Sequence, residues 1–164
     1  MKLAPAFLCF AALAGCAGFS GRGLVPGQST EQEVESLMGP ATEVRKAPNG
    51  ETLRYYSREP YGRHIYIATI GADGKLRSLY DSLSEENIAR VKVGSSSEQD
   101  VRELIGPPFR VDPFPRLQRQ VWTYKMYADG FPKDLYVQFS ADRVVREVMV
   151  IDDPEFSARP SEGP

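Results

Sequence analysis

The sequence is poor in the residues that most enzymes and metalloproteins rely on. Its 164 residues include one histidine, two cysteines and one tryptophan. Metal centres and imidazole-based catalytic sites draw on several such side chains at set spacings, and no such set is present. No Gly-x-Ser-x-Gly turn, phosphate loop or thiol paired with a histidine occurs either. His64 is the only imidazole, and strand parity places it beside Tyr66 as a surface side chain. No charge of one sign dominates: 20 basic residues face 22 acidic ones, a formal charge of -2. A nucleic-acid partner, which needs a clustered basic face, is therefore excluded. A hydrophobic content of 41% and a charged content of 26% exclude disordered and polytopic membrane classes. The composition points to a non-enzymatic, cofactor-free and metal-free binding protein.

The one long apolar run lies at the start. Lys2 precedes an apolar stretch too short for a bilayer span, and the pattern over 1–15 reads as a secretory signal peptide. It ends Leu13-Ala14-Gly15-Cys16, which resembles a bacterial lipobox. The resemblance implies cleavage between Gly15 and Cys16, acylation of Cys16, and membrane attachment through the lipid. Ala17 stands where an aspartate would favour inner-membrane retention, so the same resemblance implies a periplasm-facing protein of the cell outer membrane. Removal of the signal leaves 149 residues, with Cys16 their only cysteine and hence no internal disulfide. Residues 16–26, with Gly18, Gly21, Gly23 and Pro26, read as a lipidated, flexible tether.

The remainder is a duplication. Residues 27–40 and 94–107 share eight identities in fourteen positions at a constant separation of 67. Each copy begins with capping chemistry, from Ser29 with Gln32 or Thr30 with Glu33 in the first and from Ser96 with Gln99 in the second. Each ends in Gly-Pro, at Gly39-Pro40 and Gly106-Pro107, which stops a helix. Val34, Leu37 and Met38, matched by Val101, Leu104 and Ile105, give each helix one apolar stripe. Period-two alternation follows. Thr52–Ser57 lies over Gln120–Lys125, and Ile65-Tyr66-Ile67 is laid over Leu135-Tyr136-Val137. Turns at 71–74 and 140–143 lead into strands 75–81 and 144–151. A short helix with Ser84 as its cap precedes the second copy.

The predicted fold is α+β, a tandem repeat of a helix(-helix)-three-stranded antiparallel sheet unit. Its boundaries are 27–82 and 83–151, followed by a disordered tail at 152–164 in which Asp152 and Asp153 are solvated.

The lipobox, Glu86 to Gly94, the helix ending Leu104-Ile105-Gly106-Pro107 and Trp122-Thr123-Tyr124 together resemble the SmpA/OmlA, or BamE-like, family of small outer-membrane lipoproteins. The first copy departs in having Arg54 where Trp122 stands, and the family's assembly factor is similar to a single copy rather than two. The resemblance implies a scaffold or binding module in β-barrel protein assembly or envelope integrity, with the barrel-assembly complex as partner. Tandem units of this kind are also similar to β-lactamase-inhibitor proteins. That similarity implies a partner-capturing module using Tyr55, Tyr56, Tyr66, Trp122, Tyr124 and Tyr136, aromatic types that dominate interface hot spots. Among the basic residues Arg102, Arg110, Arg116 and Arg119, the pair Arg116 and Arg119 is the candidate contact for anionic lipid headgroups, with Asp100, Glu103 and Asp112 near enough to neutralise it.

Overall fold

A computed structural model describes residues 20–157. The signal peptide, the Gly15–Cys16 cleavage point and residues 158–164 lie outside the described residues. Helix α1 (Glu31–Met38) starts where Thr30 and Glu33 exchange side chain-to-backbone hydrogen bonds, 2.7 and 3.2 Å long. It stops at Gly39, whose φ of 80° suits a residue without a Cβ. Four antiparallel strands follow in the order β1 (Glu43–Lys46), β2 (Thr52–Ser57), β3 (Ile65–Ile70) and β4 (Leu76–Asp81).

The second unit repeats the plan. Helices α2 (Glu85–Ile88) and α3 (Glu98–Leu104) lead into β5 (Arg110–Phe114), β6 (Arg119–Ala128), β7 (Phe131–Ser140) and β8 (Val145–Asp152), a second four-stranded antiparallel sheet. Asp129 and Gly130, both at positive φ, close the β6–β7 hairpin. The cap of α3 is Ser97 with Asp100, not Ser96 with Gln99. Each sheet has four strands rather than three: β1 and β5 are short edge strands that present no buried apolar face and so give no alternation in the sequence.

Backbone bonds make the duplication visible. Gly27 N–H donates to Leu76 C=O, Leu76 N–H to Ser29 C=O and Glu31 N–H to Gly74 C=O. In the second unit Gly94 donates to Val145, Val145 to Ser96 and Glu98 to Arg143. The helix starts are thus 67 residues apart and the last strands 69. Between them, Tyr56 and Tyr124 occupy equivalent places, as do Arg54 with Trp122 and Ala68 with Val137. The correct match for Leu135 is therefore Tyr66, not Ile65. A one-residue difference between the repeats reverses the faces.

The layers follow from that reversal. α1 covers one face of the first sheet through Val34, Met38, Tyr56, Ala68, Ile70 and Leu76. The opposite face, with Tyr55, Ile65 and Ile67, joins Ile88, Val101 and Ile105 of the second unit's helices. Those helices in turn pack on Trp122, Tyr124, Leu135, Val137 and Phe139 of the second sheet. One core therefore serves both units, and the order is helix, sheet, helices, sheet.

The ends are also folded. Gly21 is buried against Leu79 and Leu24 packs on the first core, so the predicted flexible tether is structured from residue 20 onward. At the other end Asp152 closes β8, Asp153 is fully buried and Pro154–Ser157 forms α4. The predicted disordered tail does not begin at 152, because Asp153 is held by ion pairs.

Candidate functional site

The six aromatic candidates do not form one exposed face. Tyr55, Tyr56, Trp122 and Tyr124 are at most 5% exposed. Trp122 packs against Phe139, ring centres 4.8 Å apart, while Tyr124 donates its hydroxyl to Gly106 C=O at 3.1 Å. Burial raises the Tyr55 hydroxyl to about 12 and pushes Tyr124 well above the ordinary tyrosine value. These rings are spent on the core, which corrects their assignment as interface residues. Only Tyr66 and Tyr136 remain partly accessible. Tyr66 stacks on His64 at 5.7 Å and lines an open cleft of about 720 Å³ with Glu59, Tyr61 and His64. Tyr136 lies on the outer face of the second sheet and donates to Asp134.

His64 itself sits 2.6 Å from Asp81 Oδ2 through Nδ1, at the surface beside Tyr66 as strand parity predicts. Among the described residues no group of three or more His, Cys, Asp or Glu is placed to hold a metal. No described helix is long and apolar enough to cross a membrane.

The basic cluster resolves into four separate situations. Arg102 reaches across to Glu43 of the first unit, with Nη2 2.7 Å from the carboxylate. Arg110 pairs with Asp112 at 2.7 Å. Arg116 and Arg119 make no ion pair among the described residues: Asp100 is occupied with Ser97, Glu103 accepts from Gln99, and Asp112 belongs to Arg110. Arg116 lies in a 3₁₀ turn (Pro115–Leu117) that also exposes Phe114 and Leu117, the latter 70% exposed. Arg119 and Arg143 line an adjacent cleft of about 350 Å³ with Glu98, Pro113 and Ser140. The exposed Arg116 and the half-buried Arg119, whose Nη1 is turned away from solvent, lie beside exposed apolar side chains and form an amphipathic rim at the β5 end of the second sheet.

A polar junction between the units has no counterpart in the sequence reading. The β2–β3 loop sends Glu59 to the β6 edge, where its carboxylate accepts the Lys125 N–H. Arg63 from the same loop pairs with Asp153. Lys125, only 3% exposed, places Nζ 3.1 Å from Asp134 and 3.2 Å from Asp153. Burial alone would raise Asp153, but hydrogen bonds from Arg63, the Glu155 N–H and Lys125 outweigh it and hold the carboxyl at about 2. Glu59 goes the other way: burial pushes it up to about 8 despite the Lys125 N–H. The legible signal was Lys125 and Asp134, opposite charges in register on two apolar strands.

Residues 81–149 match the family described as the outer membrane protein assembly factor BamE domain. The match spans α2 to the middle of β8 and contains both the Trp122 core and the Arg116–Arg119 rim. No curated protein matches the chain. Among solved structures the chain is similar to a DUF4309 family protein, YjgB, from Bacillus subtilis, at 17% identity over 80% of this chain and 84% of that one, with a TM-score of 0.32.

Proposed function

We propose, with the BamE domain at residues 81–149 as the premise, that this chain is a non-catalytic scaffold in the assembly of outer-membrane β-barrel proteins. In this reading it is held at the outer membrane, facing the periplasm, by acyl chains on Cys16. Several buried acyl chains anchor firmly, at about 0.8 kcal/mol per methylene. The domain match is the observation that carries the proposal. The surface supports a binding role: four of the six aromatic candidates are committed to the core, and the accessible features are the amphipathic rim and the Tyr66 cleft. The rim then lies near the bilayer and receives anionic headgroups at Arg116 and Arg119, while a protein partner, the barrel-assembly complex, takes the Tyr66 side.

The test is cross-linking of the full chain in intact envelopes followed by a detergent pull-down. Recovery of barrel-assembly components is expected, and their absence with the chain correctly folded refutes the scaffold role. Reversing the charge at Arg116 and Arg119 is expected to lower binding to vesicles containing anionic lipid by at least about 30-fold, since each basic residue near such a surface contributes about 1 kcal/mol. Unchanged vesicle binding removes the headgroup assignment and leaves the scaffold role to the pull-down. The alternative reading, an inhibitor that captures its target on an aromatic sheet face, is left without Tyr55, Tyr56, Trp122 and Tyr124, which are buried, while Tyr61, Tyr127 and Phe131 stay exposed.

A further inference from the structure

The chain enters its folded body beside aromatic side chains that the core does not use. Gly21 is buried against Leu79, and Ser20, one residue earlier, lines the same open cleft as Tyr61, His64 and Tyr66. Tyr61 lies in the loop between β2 and β3 and is 94% exposed. The β6–β7 hairpin meets this loop. The Arg63 guanidinium lies 5.9 Å from the centre of the Tyr127 ring, Arg63 Nη1 donates to Lys133 C=O at 3.4 Å, and the His64 ring is 5.9 Å from that of Tyr127. Tyr127 and Phe131, on the two sides of the hairpin turn, are exposed. Much of each of these three large rings is thus uncovered by the described residues, at one end of the molecule.

This end is not a basic patch. Arg63 is paired with Asp153, Lys133 with Asp152, and Asp129 stands in the hairpin turn. Attraction to anionic headgroups is therefore weak here. Tyrosine and phenylalanine rings instead suit the boundary between headgroups and acyl chains, where a tyrosine buries its apolar body and keeps its hydroxyl in water. Where the chain leaves the body identifies the occupant. Only five residue steps separate Gly21 from Cys16, so acyl chains on Cys16 hold this end close to the bilayer.

Given acylation of Cys16, the part of the proposed function on which this rests, we propose that Tyr61, Tyr127 and Phe131 insert into the interfacial zone of the same membrane and form a charge-independent attachment beside the lipid anchor. The Arg116–Arg119 rim starts at the other end of the ten-residue β6, about 30 Å away, so the body meets the bilayer at both ends of that strand. The Tyr66 cleft then opens at the level of the headgroups, within reach of a barrel embedded in the same bilayer.

The sole tryptophan, Trp122, is buried, so a second one placed at the surface reports its own surroundings. Tyr61→Trp and Phe131→Trp, with Val44→Trp at an exposed position on the β1 edge as the reference, are made in the full acylated chain. Acylation is verified by mass spectrometry, and each variant is bound to phosphatidylcholine vesicles whose acyl chains carry bromine. Interfacial side chains sit about 5–10 Å into the headgroup and acyl boundary, so the emission added at 61 and at 131 is expected to fall at least about twofold, with that added at 44 unchanged. The same loss is expected when anionic lipid is included. Quenching at 61 and 131 no greater than at 44, in chains bound to the vesicles, overturns the proposal and leaves the anchor intact. Rings that serve a protein partner give that result, because the vesicles contain no other protein. Quenching that appears only with anionic lipid marks a charge-driven contact and also overturns it. A chain whose mass shows no acyl groups on Cys16 refutes the anchor itself, and the proposal with it.

Discussion

The two units are copies, yet their outer faces are opposite in character. In the first sheet the face turned from its own helix carries Tyr55, Ile65 and Ile67, and the second unit's helices cover it. The equivalent positions in the second sheet are Thr123, Asp134 and Tyr136. An apolar face invites another layer, whereas a polar face ends the stack. Short repeat arrays end in this way, with a capping unit whose outer surface is polar. The helix-facing sides differ too. In the second unit Trp122 fills the space under α3. In the first, Arg54 takes that place, donating to Glu31 and to Glu35 on α1, the latter at 2.9 Å. One copy is closed by an aromatic ring and the other by an ion pair partly open to water.

The largest expected effect tests that contrast. Trp122→Ala empties the shared core and is expected to cost about 3–5 kcal/mol in chemical denaturation. Arg54→Ala removes an ion pair whose glutamates are about half exposed and is expected to cost about 1 kcal/mol. Equal losses would mean that the two closures are energetically the same.

A second comparison concerns the helix-ending glycines, both at positive φ. A Cβ at Gly39 meets nothing within 4 Å, whereas at Gly106 it falls 2.9 Å from Ile65 Cγ2 and 3.1 Å from Tyr55. Gly39→Ala is expected to cost about 1 kcal/mol from backbone strain, and Gly106→Ala about 2–3 kcal/mol because strain and a clash combine. Thermal unfolding that fails to separate the two would count against α3 lying between the sheets.

The last effect is a slope with pH. Glu59 has a folded pKa of about 8, above its ordinary value of 4.5. It therefore binds its proton more tightly when folded. Its contribution is fully present below about pH 4.5 and is lost as pH rises through 8, by no more than about 1.4 kcal/mol per pH unit. Asp153, held at about 2, contributes above its ordinary range and loses that contribution as pH falls toward 2. Glu59→Gln is expected to flatten the stability profile between pH 5 and 8 and leave the acid limb unchanged. An unaltered profile would show that the Glu59 contact with β6 does not bind a proton.

Legibility in the sequence followed the strength of local signals. α1, α3 and β2 were readable because caps, glycine stops and apolar periodicity agreed. β1 and β5 were not, since edge strands need no apolar face and β5 even tolerates Pro113. The family resemblance covered the second unit well because Trp122, Tyr124 and Gly106 form its interior. That same interior role defeated their reading as a partner surface, since an aromatic residue in a strand has the same sequence pattern in a core as in an interface. The buried role of Asp153 has no local sequence signal, because its partners, Arg63 and Lys125, are distant in sequence.

The folding of residues 20–26 onto β4 also bears on reach. If the lipid sits on Cys16, five residue steps separate it from Gly21, which is buried against Leu79. A fully extended chain covers at most about 3.6 Å per residue, so the leash is about 18 Å at its longest, against about 36 Å for a tether running to Pro26. On so short a leash the body has little freedom to sample the periplasm. A partner would have to come to the membrane surface to meet it.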